Sequence, residues 1–276
     1  MEPLPAVTRA PLGIFDSGVG GLSVLRAMRK LLPYQSILYL ADQAHVPYGA
    51  RTQEEVRAFA EEITRFLLRQ GACLIVVACN AASAAALYHL RASFPGVPFV
   101  GMEPAVKPAA SITRTGVVGV LATPVTFQGT LYASVIDRFA RGITVLEDTC
   151  PGLVREIEAG HLTGAETRAI LERALKPMLA RGVDTIVMGC THYPFVIPLI
   201  QEVVGSDVQV IDPAPAVARQ AARLLQANGL LTDTPPAGEL RFFTTAPAQP
   251  LIGILPSLLE EEYPVQVTEW QYGKLP

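Results

Sequence analysis

Apolar residues along this chain alternate between two rhythms. Near-continuous apolar runs occur at residues 12–15, 37–41, 74–78, 99–102, 117–121, 143–147, 185–189 and 208–211. They read as strands, and being apolar on both faces they read as buried parallel strands. Between them lie stretches with apolar residues at helical spacing: 21–32, an alanine-rich segment reaching Ala92, 125–139, a segment reaching Ala180, and 198–204. A capping-box pattern, Thr52-x-x-Glu55, starts a helix whose apolar face runs through Val56, Phe59, Ile63, Phe66 and Leu67. Thr163-x-x-Glu166 predicts a second such cap. Strands alternating with helices predict an α/β fold with mainly parallel sheets flanked by helices.

One segment occurs twice. Residues 71–80 read GACLIVVACN and residues 182–191 read GVDTIVMGCT, so that Gly71 matches Gly182 and Cys79 matches Cys190. The repeat predicts two similar domains related by a pseudo-twofold, with the active site in the cleft between them. Residues 1–103 plus 212–276 form the first, discontinuous domain on this reading, and residues 104–211 the second. The last third, from about Ala216, is expected to add a helix and strands back onto the first domain, with a proline-rich loop at 232–238.

Composition narrows the field. Half of the 276 residues are hydrophobic and 17% are charged, which argues against disorder. A net charge of −3 without a basic tract gives a nucleic-acid partner no electrostatic footprint. No apolar run approaches the roughly 18 residues of a membrane span, so no membrane partner is expected. The N-terminus shows no signal pattern, which predicts a cytoplasmic protein. The four cysteines, Cys73, Cys79, Cys150 and Cys190, follow no disulfide framework.

In parallel sheets, ligands bind beyond the carboxyl ends of strands, where Cys79 and Cys190 fall. Free cysteines are commonly buried and inert, the expectation for Cys73 and Cys150. A matched pair at equivalent strand ends, one on each side of a cleft, suits moving a proton from one face of a carbon to the other. A thiol needs a neighbour to activate it. His192 lies beside Cys190, and Asp16, at the first strand end, is placed to face Cys79. His45, His89 and His161 fall in loop, mid-helix and loop settings.

The turn Asp16-Ser17-Gly18-Val19-Gly20-Gly21, with Asp42 downstream, resembles a dinucleotide fingerprint, but Ser23 replaces its third glycine. A loop whose backbone N–H groups hold a small anionic substrate fits better. Cys190-Thr191-His192 offers two metal ligands with no CxxC or HxxxH beside it. None of Lys30, Lys107, Lys176 and Lys274 has the setting of a Schiff-base lysine. Chemistry with no cofactor and no metal is the expectation. A cysteine hydrolase using Cys190 and His192 is a competing reading, which leaves Cys79 idle. A non-catalytic amino-acid-binding protein is another.

Five motifs then carry a family resemblance: Asp16-Ser17-Gly18-Val19-Gly20-Gly21-Leu22, Pro47-Tyr48-Gly49, Ala78-Cys79-Asn80, Ala122-Thr123-Pro124-Val125-Thr126, and Gly189-Cys190-Thr191-His192-Tyr193-Pro194. In this order they resemble the bacterial glutamate racemases along nearly the whole chain. The resemblance implies two α/β domains closing over glutamate, with no cofactor, and D-glutamate supplied for peptidoglycan. It assigns deprotonation of D-glutamate to Cys79 and of L-glutamate to Cys190. Asp16 and His192 match the assisting acid–base residues, and Glu158 a glutamate supporting the histidine. Ser17, Pro47, Tyr48, Gly49, Asn80, Ala81, Thr123, Thr126 and Thr191, with Asp16, match substrate-binding positions. Family members are often dimers, so a homodimer is expected. The short segment before residue 12 predicts no N-terminal extension of the kind that carries activator control in some members. One departure stands out: the family usually has threonine where this chain has Ala81. Either another group, with Ser83 the candidate, replaces that hydroxyl, or substrate binds more weakly. Aspartate is the alternative substrate, to be separated by pocket size.

Overall fold

A computed structural model describes residues 10–276. Residues 1–9, where the first expected domain begins and where any N-terminal extension would attach, lie outside the described residues. The first half of the chain runs β1 (Leu12–Asp16), α1 (Leu22–Leu31), β2 (Ile37–Ala41), α2 (Gln53–Arg69), β3 (Leu74–Val77), α3 (Asn80–Ser93), β4 (Phe99–Val100) and α4 (Val106–Ile112). Next come β5 (Val117–Ala122), α5 (Pro124–Gln128), α6 (Thr130–Phe139), β6 (Thr144–Asp148), α7 (Leu153–Glu158), α8 (Ala165–Ala180), β7 (Thr185–Gly189), α9 (Ile197–Val204) and β8 (Gln209–Ile211). The chain closes with α10 (Ala214–Ala227), β9 (Leu240–Thr244), α11 (Ala248–Leu259) and β10 (Val265–Val267).

Two sheets result, both parallel throughout. The first has the order β10-β9-β2-β1-β3-β4 and the second β6-β5-β7-β8. The second repeats the β2-β1-β3-β4 portion of the first, element for element. β3 and β7 are thus equivalent strands, as the repeated segment predicts. Each follows a helix that ends at a glycine in the left-handed region, Gly71 (φ 91°) after α2 and Gly182 (φ 81°) after α8. Glycine tolerates that conformation without a Cβ clash and stops the helix there.

The central strands β1, β2, β3 and β7 are buried along their whole length, as their apolar runs require. The Thr52 capping box forms in both directions: Glu55 N–H donates to Thr52 Oγ1 at 3.2 Å and Thr52 N–H to Glu55 Oε2 at 2.9 Å. In the last third, β9 pairs with β2 of the first sheet, and α10 packs beside α1.

Three local expectations are corrected. The helix predicted over 125–139 is two helices, because Gly129 takes an extended conformation between α5 and α6. α8 is capped by Gly164 with no side-chain bond, so Thr163 makes no capping box. The short helices α4 and α7 went unpredicted, since seven and six residues carry too few turns for a periodic pattern.

Candidate active site

Side chains from the carboxyl ends of β1, β3, β5 and β7 converge on one cavity between the two sheets. Its free volume is small, about 20 Å³, room for about one water molecule. Cys79, Asn80 and Ala81 enter from the β3 end and Cys190, Thr191 and His192 from the β7 end. Ser17 follows β1, Thr123 follows β5, and Pro47, Tyr48 and Gly49 form a further wall. Val154, on α7, completes the lining; neither repeat nor motif pointed to it. Both thiols are buried, Cys79 at 5% and Cys190 at 6% exposure, and both face the cavity. Cys79 shares one cavity with Cys190, a pairing that a hydrolase built on Cys190 alone does not call for. Cys73 is half-buried and its thiol donates to the Ala10 carbonyl.

The remaining expected residues stand one layer back. Asp16 is fully buried; its Oδ1 accepts from Gly18 N–H at 2.8 Å and its Oδ2 from the Thr191 hydroxyl at 2.9 Å. Glu158 Oε1 accepts from Val19 N–H at 2.8 Å and bonds His192 Nε2 at 2.6 Å. His192 Nδ1 reaches Cys190 Sγ at 3.8 Å. Thr126 lies behind Thr123, hydroxyl to hydroxyl at 3.2 Å, and does not line the cavity.

The glycine turn works differently from expectation. Its amides do not present themselves to a substrate anion. Gly18 N–H and Val19 N–H are held by the carboxylates of Asp16 and Glu158, and Ser17 N–H points to the Cys79 thiol. A Cβ at Gly18 would run into the Glu158 carboxylate, and one at Gly20 into the His192 ring. The glycines admit side chains of the opposite half; a pyrophosphate has no part in that. Ser23 donates to the carbonyls of Gly20 and Thr191, at 2.8 and 2.9 Å, again across the cleft. Asp42 is likewise enclosed by protein donors.

Ser83 cannot replace the hydroxyl absent at Ala81. It donates to the Val77 carbonyl and accepts from Met102 N–H, buried beneath α3. Asn80 is the opposite case. Both its side-chain polar atoms are buried without a partner. Buried amides in native proteins are nearly always paired, which sets Asn80 apart from the other residues of the lining.

The electrostatics differ between the two thiols. Burial pushes the Cys79 thiol well above its usual pKa, and the nearby Asp16 carboxylate pushes it further. Burial also raises Asp16, against the pull of His192 and of its hydrogen bonds. Burial alone would lower His192, but bonds to Cys190 and Glu158 outweigh it and hold the imidazolium well above its usual range. Glu158 runs the other way: burial would raise it, and the bond and charge of His192 bring it below the usual carboxylate value. Among the described residues, no group of three or more His, Cys, Asp or Glu is arranged to hold a metal ion.

This architecture, two parallel sheets presenting paired thiols to one cavity, matches one known class. The Asp/Glu/hydantoin racemase family model matches residues 20–221. The chain belongs to that family. A glutamate racemase from Pseudomonas paraeruginosa is 53% identical over 253 residues, 92% of this chain and 95% of that protein. The crystal structure of a glutamate racemase isoform, RacE1, from Bacillus anthracis superposes with a TM-score of 0.84 at 32% identity, covering 96% of this chain and 98% of that one. A glutamate racemase from Francisella tularensis, solved in complex with D-glutamate, gives a TM-score of 0.82 at 28% identity over 95% and 98% of the two chains.

Proposed function

We propose that this protein interconverts L- and D-glutamate by two-base 1,1-proton transfer, with no cofactor. Cys190 takes the α-proton of L-glutamate while Cys79 delivers one to the opposite face, and the roles reverse for D-glutamate. The supporting observation is the pair of equivalent strand ends that bring Cys79 and Cys190 to one cavity. Because a charged Asp16 opposes a thiolate at Cys79, ionising Cys79 goes with protonating Asp16. The His192–Glu158 pair performs the same service for Cys190 as a charged relay. The carbanionic transition state has no imine to drain its charge, so preorganised donors must stabilise it. Asn80 is the uncommitted one on this reading; the Thr191 hydroxyl already donates to Asp16. Burial of the cavity excludes water and strengthens these contacts.

The same reading takes residues 1–103 plus 212–276 and residues 104–211 as the two domains, with the hinge at the connections flanking α4 and α10. It has the enzyme act in the cytoplasm as a homodimer, its D-glutamate feeding peptidoglycan. No helix among the described residues is long and apolar enough to cross a membrane.

The test is solvent exchange. In deuterated water each glutamate enantiomer should gain deuterium at the α-carbon as it racemises, and aspartate should not. Glutamate binding without exchange overturns the catalytic reading; faster exchange with aspartate overturns the substrate.

A further inference from the structure

Asp42 does not line the cavity, yet it is fully buried and its carboxylate is saturated by protein donors. The Tyr48 hydroxyl donates to Oδ2 at 2.6 Å, and His45 Nδ1 bonds the same oxygen at 2.9 Å. The Thr245 hydroxyl and the Trp270 indole N–H both donate to Oδ1, each at 2.7 Å. Charge-assisted bonds of this kind are the strong ones, and those from Thr245 and Trp270 are side-chain bonds that no ladder or helix requires. They gather segments more than two hundred residues apart: the turn carrying Tyr48, the end of β9, and the chain beyond β10.

The turn so held is a wall of the cavity. Pro47, Tyr48 and Gly49 face the thiols, and Gly49 lies so close to Thr123, from the other half, that an added Cβ would sit 2.6 Å from the Thr123 Cβ. The wall therefore has little slack toward the opposite side. Its hold from behind is Asp42 together with ring packing: His45 stacks on Phe59 at 3.9 Å and meets Trp270 edge-on at 5.1 Å. With its hydroxyl bound to Asp42, Tyr48 turns its polar end away from the cavity.

We infer that Asp42 is a positioning residue that fixes the Pro47–Gly49 wall against the substrate, and that Trp270 and Thr245 belong to the substrate-binding machinery through it. The inference rests on the proposed reading that the cavity takes glutamate. The wall carries neither thiol, so its displacement weakens binding of substrate and transition state alike, which raises KM and spares kcat.

Trp270→Phe keeps the packed ring and removes the N–H; Tyr48→Phe keeps the wall and removes the hydroxyl. Each should raise KM for both enantiomers about five- to thirtyfold, with kcat within about twofold of the parent. Because both act through one carboxylate, the double variant should raise KM by much less than the product of the two. A parent KM in both single variants, or strictly multiplicative effects in the double, overturns the inference. Asp42→Asn should show the larger KM rise; if it fails to fold, the two phenylalanine variants still decide. If the parent enzyme exchanges no α-proton of glutamate, the proposed function is what fails. If it exchanges and KM stays put in the variants, the role of Asp42 fails alone.

Discussion

The ends of β3 and β7 have the same sequence pattern, the same place in their sheets and the same thiol, yet opposite surroundings. At Cys79 the neighbours are backbone N–H groups of Ser17 and Ala82 and a fully buried carboxylic acid, Asp16. At Cys190 the neighbour is an imidazole clamped by Glu158. Internal duplication brings two thiols to one cavity; it does not give them equal surroundings. Burial and a carboxylate keep the proton on Cys79, while a carboxylate one step further back keeps the proton on His192. Each helper is also held from across the cleft, Asp16 by Thr191 and Glu158 by Val19 N–H.

The comparison breaks most decisively at the thiols. Cys79→Ala and Cys190→Ala should each lower racemisation by on the order of 10³-fold or more, since a positioned proton-transfer group contributes about 10²–10⁴-fold. If polarimetry finds parent rates in either, two-base transfer is wrong.

The helpers should test whether the two sides are unequal. Asp16→Asn and His192→Asn should each cost about 10²-fold in kcat/KM. The loss must be the same for both enantiomers, because their equilibrium constant is unity. The inequality of the sides should appear in the separate kcat values: His192→Asn should depress the L-to-D direction more, and Asp16→Asn the D-to-L direction. Equal kcat losses in both directions would mean the two ends act as equivalents.

Glu158→Gln removes the charge behind His192. His192 is raised in the fold, so its contribution to stability is complete below its ordinary pKa of 6.5 and is lost as pH rises through the higher folded value. Glu158 is lowered, so its contribution is complete above its ordinary 4.5 and is lost as pH falls through the lower folded value. The pair is therefore fully effective between those two pH values. Glu158→Gln should cost about 2 kcal/mol there, read by denaturant unfolding, and the alkaline limb of the rate profile should move to lower pH. A loss that is the same at every pH would show that the pair is not charged.

The smallest effect concerns Ala81. With Ser83 committed to the Val77 carbonyl, a threonine here is the direct way to add a donor. Ala81→Thr should lower KM by about fivefold if the cavity admits it, the worth of one neutral hydrogen bond. A raised KM would show that the β3 end has no room.

Much of this was legible beforehand, for reasons that particular residues make plain. Buried parallel strands must be apolar on both faces, so residues 74–78 and 185–189 announce themselves, and the glycines before them mark the helix ends. Asp16 and His192 were legible because each adjoins a strand end or a thiol. Most of the misses share one cause: their partners are distant in sequence. The amides of the Gly18–Val19 turn looked free because the carboxylate that takes one of them belongs to Glu158, on the other half. Asp42 had no role to show because two of its partners, Thr245 and Trp270, lie more than two hundred residues away. Val154 sits on a helix too short to show a period.

By itself the chain determined where its strands run, that the unit is duplicated, and which two sulfurs are equivalent, since periodicity and repetition are properties of neighbours along a polymer. Tertiary structure alone decided which groups bond across the cleft and how tightly the cavity walls are held. Those depend on burial and on bonds across the cleft, which come into being when the two sheets meet.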